Sequence, residues 1–407
     1  MKRTFTEKRG HMRGNLPAFF LILFLLFSQL TAVGSETADT DIRRDTVMAS
    51  ILVASPGKMI YQAGGHAAIR LQCPAYGLDN VFSYETSSDR LVTQLLGQSK
   101  GRYAALVLDE YLSTFREEGR EVKAYPLNLT DPQIRLLWQL LDEDVDTGIE
   151  GDFNVRYVNC NSKTMEKVTQ ALGNDLIIMN EDHYSRMDNG TLQKSILKEE
   201  SPWSALVFNV GCGIEADSTD AWQTRMCPLI MPDYFMTAEI ESPDGRRRQF
   251  VSGEPYTLLA GEAEAEHQFL TPLTMCMLLL IFSIVISLMD IMGKWNSLVF
   301  VSDIILLSMQ TIGSIVLIFM AVIPASIGPA LNWMFIPLNI FPVSVWALFR
   351  RKVFCRWFFI CYGVVCLLFM AAPLFTSEAD IWSSLMSAAI AVRVLTHYLK
   401  TTIYKTI

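Results

Sequence analysis

What most limits the folds open to this chain is a change in composition near residue 268. From Phe269 to Tyr398 charged residues are sparse, and apolar runs of membrane-helix length recur. Upstream, Asp, Glu and Arg are frequent, and the net charge of −8 comes from this half. An α+β protein in two parts is therefore expected: a soluble domain over 47–268, then an all-α transmembrane domain of five helices over 269–407. With 407 residues the chain has room for both. The spans are read at about 272–292, 297–322, 331–349, 353–372 and 381–399.

Charges in the connecting loops set the orientation. Arg350, Arg351, Lys352 and Arg356 crowd one connection, Lys294 lies in another, and Lys400 and Lys405 follow the last span. Glu378 and Asp380 occupy the opposite side, which puts the C-terminus in the cytoplasm and residues 35–268 outside the inner membrane. An odd number of spans agrees with an exported N-terminal domain. The start of the chain fits the same picture: basic residues precede an apolar stretch from Leu16 to about Leu30, with cleavage expected after Gly34. Residues 1–34 are thus read as a signal peptide and 35–46 as a polar tether. Asp290 and Asp303, near the cytoplasmic ends of the first two spans, are expected to face water. An acidic soluble half with one compact basic cluster, Arg246–Arg248, argues against nucleic acid as a partner.

Within the exported half, Ser50–Val53, Ala67–Gln72, Asn80–Tyr84 and Glu121–Leu127 read as strands, and Asp109–Glu118 as a helix. Thr130-Asp-Pro132 opens a second helix, with proline in its first turn. Phe153–Val158 is strand-like, Glu199–Asp233 is loop-rich with local helix, and 238–257 forms a closing strand pair through Pro243-Asp-Gly245.

The most informative junction is Tyr157-Val-Asn-Cys160-Asn-Ser, where a helical pattern begins at Cys160 and runs to Leu172. A thiol in the first turn of a helix lies at the positive end of the macrodipole, which favours the thiolate. The polar neighbours also argue against an inert core cysteine. A thiolate needs a base, and His66 opens a strand behind Gly64-Gly65, whereas His183 lies in a charged stretch and His267 abuts the membrane. Cys160 and His66 are therefore the candidate nucleophile and base. Cys212 and Cys227 enclose a short loop and are the preferred disulfide pair in an oxidising compartment. Cys73 is unassigned, and a Cys73–Cys160 bridge would remove the nucleophile. There is no phosphate-loop or zinc-protease spacing, and neither a metal nor another cofactor is expected.

In order along the chain, Tyr61-Gln-Ala-Gly-Gly-His66-Ala-Ala-Ile-Arg70, Phe115-Arg-Glu-Glu-Gly-Arg120, Leu127-Asn-Leu-Thr130, Tyr157-Val-Asn-Cys160 and Met231-Pro-Asp-Tyr-Phe235 resemble the periplasmic domain of lipoprotein N-acyltransferases of Bacteroides-like bacteria. That family in turn resembles circularly permuted papain-like proteins, including lecithin:retinol acyltransferase-type enzymes. The resemblance implies a permuted papain-like periplasmic domain with Cys160 as nucleophile and His66 as base. Relatives read Tyr-Gly-Thr-Phe where this chain has Tyr84-Glu85-Thr86-Ser87, so Glu85 or Tyr84 is the candidate for orienting His66. The family's Asp before Asn-Cys is Val158 here. Asn159, beside the thiol, is assigned to substrate binding. Asn332 and Asn339 resemble an Asn-rich membrane segment of the family and are assigned the same role, with interhelical hydrogen bonding as the alternative.

The implied reaction takes an acyl chain from a membrane phospholipid, or from a lipoprotein's diacylglyceryl group, through a Cys160 thioester to the N-terminal Cys amine of diacylated lipoproteins. A cysteine peptidase or amidase acting on cell-wall peptides uses the same dyad. A non-enzymatic membrane scaffold follows if Cys160 is bridged or out of reach of a histidine.

Overall fold

Apolar, β-branched segments bounded by turn residues build one large sheet, and the order of those segments fixes where its ends lie. A computed structural model describes residues 45–57, 62, 64–86, 93, 98–153, 158–178, 201–212, 228, 231–262, 270–322, 332–349, 353–376 and 379–403. Residues 1–34, expected as a signal peptide, most of the expected tether and Cys227 lie outside these residues.

Strand β1 (Met48–Ala54) is buried along almost its whole length, as a central strand must be. β2 (His66–Cys73) runs antiparallel to it with His66 opposite Ala54. β3 (Leu78–Thr86) and β4 (Lys100–Val107) extend the sheet, and helix α1 (Leu108–Glu117) leads to β5 (Val122–Pro126) on the other side of β1. Next come α2 (Asp131–Thr147), β6 (Gly151–Asp152), α3 (Cys160–Leu172), β7 (Leu176–Ile178), α4 (Pro202–Cys212), α5 (Met231–Thr237) and strands β8 (Glu239–Glu241), β9 (Arg247–Gln249) and β10 (Tyr256–Leu259). The main sheet has the order β10-β5-β1-β2-β3-β4-β6, and β7-β8-β9 form a second, small one. β4 was not expected from the sequence, because Lys100 and Arg102 mask its alternation.

Each face of the main sheet carries its own core. Ile51, Val53, Ala67, Ile69 and Phe82 pack against Leu137 and Leu141 of α2 and Met165 and Val168 of α3. Leu52, Ala54, Ala68 and Val81 pack against Tyr111, Leu112 and Phe115 of α1. Full burial of each such side chain contributes roughly 1.5–3 kcal/mol, so the two layers hold the strand ends in fixed positions. Two helix starts follow their sequence signals: Thr130 and Gln133 form a capping box on α2, and Asn159 caps α3.

The C-terminal half contains α6 (Pro272–Ile291), α7 (Asn296–Val322), α8 (Phe341–Phe349), α9 (Val353–Phe369) and α10 (Ile381–Ile403). Among the described residues, three stretches are long and apolar enough to cross a membrane: Pro272–Ile291, Asn296–Phe319 and Val353–Leu374. The span expected at 331–349 is not one helix. Asn332 accepts from the Met334 N–H and starts a single 3-10 turn, Pro337 interrupts the chain, and Asn339 accepts from the Phe341 N–H to start the nine-residue α8. Helix α10 has the length of a span but carries Arg393 and Lys400.

α4 joins the two halves. Its Leu206 and Val210 pack in one apolar cluster with Leu317, Met334, Phe369 and Trp382. Trp203 Nε1 donates to the Leu270 carbonyl at 2.7 Å, and Asn332 Nδ2 donates to the Val210 carbonyl at 3.2 Å. Helix α4 is therefore packed on the helical half.

Candidate active site

One end of the main sheet gathers the start of β2, the end of β3, the last residue of β1 and the turn before β5. Gly65 makes the entry into β2 possible: its φ is +80°, and a Cβ there would lie 2.6 Å from the Ala54 carbonyl oxygen. His66 follows at once, tucked against the rings of Tyr111 and Phe115 at centroid distances of 6.5 and 6.1 Å.

The thiol arrives from the other side. Asn159 has extended backbone geometry, and its side-chain oxygen accepts from the N–H groups of Asn161 (2.9 Å) and Ser162 (3.1 Å). The Ser162 hydroxyl returns a bond to the Asn159 N–H, which completes a reciprocal cap. This cap fixes Cys160 as the first helical residue, where its thiol donates to Asn161 Oδ1 at 3.6 Å and lies within electrostatic reach of His66 and the Ala67 N–H. Cys160 and Cys73 are both free thiols, so the bridge that would remove the nucleophile does not form.

The hydrogen-bond directions fix the imidazole's proton. Ser83 Oγ donates to Glu85 Oε1, and His66 Nε2 lies 2.8 Å from Ser83 Oγ. Since the hydroxyl's one proton goes to the carboxylate, Nε2 must be the donor, and Nδ1 is left to exchange a proton with Cys160. Glu85 Oε1 is itself 3.6 Å from Nε2.

Electrostatics follow this arrangement. Burial works against charging either member of the pair, yet each charge stabilises the other. For His66, burial is outweighed by the charge and hydrogen bond of Cys160 together with Glu85, and its pKa is pushed up to about 9. For Cys160, burial is outweighed by His66 and by the Ala67 N–H, which bring the thiol below its ordinary value. The arrangement thus favours a thiolate–imidazolium pair.

The other sequence-assigned residues fall elsewhere. Tyr84 and Glu85 are neighbours on a strand and so point to opposite faces. Glu85 joins His66 through Ser83, whereas Tyr84 turns into the α3 side, where its hydroxyl donates to the Asp152 carbonyl at 3.0 Å. Asn159 commits its side-chain oxygen to the cap. Asn332 and Asn339 lie in the membrane half, where each caps a short helix, and Asn339 Nδ2 donates to the Ile336 carbonyl at 3.0 Å. The structure does not bring them to the dyad. Cys212 ends α4, and its expected partner Cys227 lies outside the described residues.

Three residues here were given no role from the sequence: Ser83, Tyr111 and Arg120. Arg120 is buried, donates to the Ser55 carbonyl (2.7 Å) and Glu118 (2.9 Å), and lies 4.8 Å from the Phe115 ring centroid. Ser83 was findable, since strand alternation places it on the face of Glu85. Tyr111 had no local signal, because its neighbourhood is made by tertiary contacts alone, and Arg120 stood in the Phe115–Arg120 motif without an assigned role.

A thiol and an imidazole at a sheet end, in a chain that continues into membrane-length helices, define a membrane-bound protein with a cysteine–histidine centre. Residues 35–177 match the family model of the Lnb N-terminal periplasmic domain, and residues 264–405 match that of the Lnb transmembrane domain. The chain belongs to the Lnb family of lipoprotein N-acyltransferase-like membrane proteins. No curated protein and no solved structure matches it.

Proposed function

We propose that the protein is a thiol-dependent acyltransferase that acylates the N-terminal Cys amine of diacylated lipoproteins, using a membrane phospholipid or a lipoprotein's own diacylglyceryl group as donor. The observation that carries this reading is the His66–Cys160 pair, tied through Ser83 to Glu85, in the periplasmic domain of an Lnb-family chain. Substrate class comes from the family; the chemistry comes from the pair.

The Cys160 thiolate attacks the ester carbonyl and forms a C–S bond. The ester C–O bond breaks, and the alcohol leaves with the proton that His66 Nδ1 held. The lipoprotein amine then attacks the thioester, loses a proton to His66, and departs as the amide while the thiolate is restored. Ser83 and Glu85 keep the proton of His66 on Nε2, so that Nδ1 faces the sulfur in both halves of the cycle. In this reading the domain has a permuted papain-like arrangement and faces the periplasm from the inner membrane, with the C-terminus cytoplasmic. Covalent attachment to a membrane-spanning half favours lipid-borne substrates, because it keeps the domain at the bilayer surface.

Mass spectrometry of lipoprotein N-termini, from cells carrying the intact protein or Cys160→Ala, tests the reading. N-acylated termini in the first and free amines in the second are expected. Unchanged acylation in the variant rejects it.

A further inference from the structure

The reaction needs hydrogen-bond donors for the oxygen on which negative charge develops, and a helix start is the usual supplier. Here that supply is largely spent. The N–H groups of Asn161 and Ser162 point at Asn159 Oδ1, so of the first-turn donors only the Cys160 N–H is left outside the cap. A second donor has to come from elsewhere in the site.

Two buried donors lie in this corner without a partner among the described residues: the Tyr111 hydroxyl and Arg120 Nη2. Tyr111 is 3% exposed and Arg120 5%, so bulk solvent does not reach them. Unpaired buried polar groups are rare in folded proteins, and two beside one imidazole point to an oxygen that they receive during function. Arg120 is held by Ser55 and Glu118, which fix its remaining nitrogen. Tyr111 is held by α1, with its ring 4.9 Å from that of Phe115 and 6.5 Å from His66.

We propose that Tyr111 is a further catalytic residue, whose hydroxyl donates a hydrogen bond to the carbonyl oxygen of the reacting acyl group, with Arg120 as the fixed positive charge behind it. The inference rests on the acyltransferase reading above. When Sγ attacks, the C–S bond forms and the carbonyl π pair moves onto oxygen, which accepts from Tyr111 and from the Cys160 N–H. The pair returns as the ester C–O bond breaks, and Tyr111 keeps its proton throughout. Its chemistry suits a donor: burial, then the negative charges of Glu85 and Cys160, hold the phenol well above its ordinary pKa against the opposing effect of Arg120.

Tyr111→Phe keeps the ring and removes only the donor. The test uses full-length protein in lipid nanodiscs and compares two reactions of Cys160. Thioester formation from a phospholipid ester passes through an oxyanion, whereas alkylation by iodoacetamide does not. Thioester formation is expected to slow on the order of 10²–10³-fold in the variant, while alkylation keeps its rate. Equal thioester rates in both proteins overturn the proposal. A parallel fall in both reactions also overturns it, because it assigns Tyr111 to holding the dyad. An intact protein that forms no thioester removes the acyltransferase reading itself, and this inference with it.

Discussion

Two of the places where the molecule buries charge treat it differently. At one end of the helical half, Arg393 of α10 is 3% exposed and reaches Asp290 of α6 at 2.8 Å and Asp303 of α7 at 2.5 and 2.8 Å. His397 and Lys400 complete the cluster on Asp290 at 3.2 and 3.1 Å. Apart from Arg393 Nη1, this is a set of opposite charges that answer one another across three helices. At the sheet end, the charges are a thiol and an imidazole that create each other, beside two buried donor atoms, the Tyr111 hydroxyl and Arg120 Nη2, that have no partner among the described residues. Mutual pairing makes the helical cluster a fastening; incomplete pairing leaves the sheet-end one with chemistry to do. The expectation that Asp290 and Asp303 face water is corrected accordingly, because Asp290 is buried and both meet Arg393.

Breaking the fastening has the larger effect on stability. Arg393→Ala leaves two carboxylates facing a buried gap, and such losses cost about 3–5 kcal/mol. Thermal unfolding in detergent is expected to show a large drop in midpoint, with the Cys160 alkylation rate of the folded protein unchanged. A stable variant with altered thiol reactivity would dissolve the contrast between the two clusters.

A smaller change sharpens the sheet-end site. Ser83→Ala cuts the link from His66 to Glu85, and removing a hydrogen bond to a charged group costs about 1.5–3 kcal/mol, or roughly 10–100-fold in acyl-transfer rate. The pH profile gives the sign. In the intact protein, transfer rises as pH passes the lowered pKa of Cys160 and falls near 9, where His66 loses the proton that the leaving alcohol needs. Without Ser83 the imidazolium is less well held, so the falling limb moves to lower pH. An unmoved limb places Ser83 outside the relay.

How far these sites were legible depends on whether the signal was local. Cys160 was readable because a polar Asn-Cys-Asn junction at a strand-to-helix change is itself the cap that presents the thiol. His66 was readable because Gly65 before it permits a backbone that other residues rarely adopt. The third position was sought one residue at a time around Tyr84 and Glu85, although alternation allows only one of that pair to face His66 and brings Ser83 with it. Tyr111 was invisible, since packing of α1 on the sheet carries it to the dyad, and Arg120 was singled out only as the end of a motif, with no role that its spacing could supply. In the membrane half, composition gave apolar runs but hid the break at Pro337, because Asn332 and Asn339 stop helices by capping and leave mean hydropathy high. Arg393 lay within an expected span and meant little until its two carboxylates were seen on other helices.

The central claim is that Cys160 carries the acyl group, and it is open to direct measurement. Full-length protein mixed with vesicles containing a phospholipid with isotope-labelled acyl chains is quenched in acid, digested and weighed. The account predicts labelled acyl on the peptide bearing Cys160, released by neutral hydroxylamine as a thioester is. Absence of that adduct, or a label on another residue while Cys160 stays a free thiol, contradicts it.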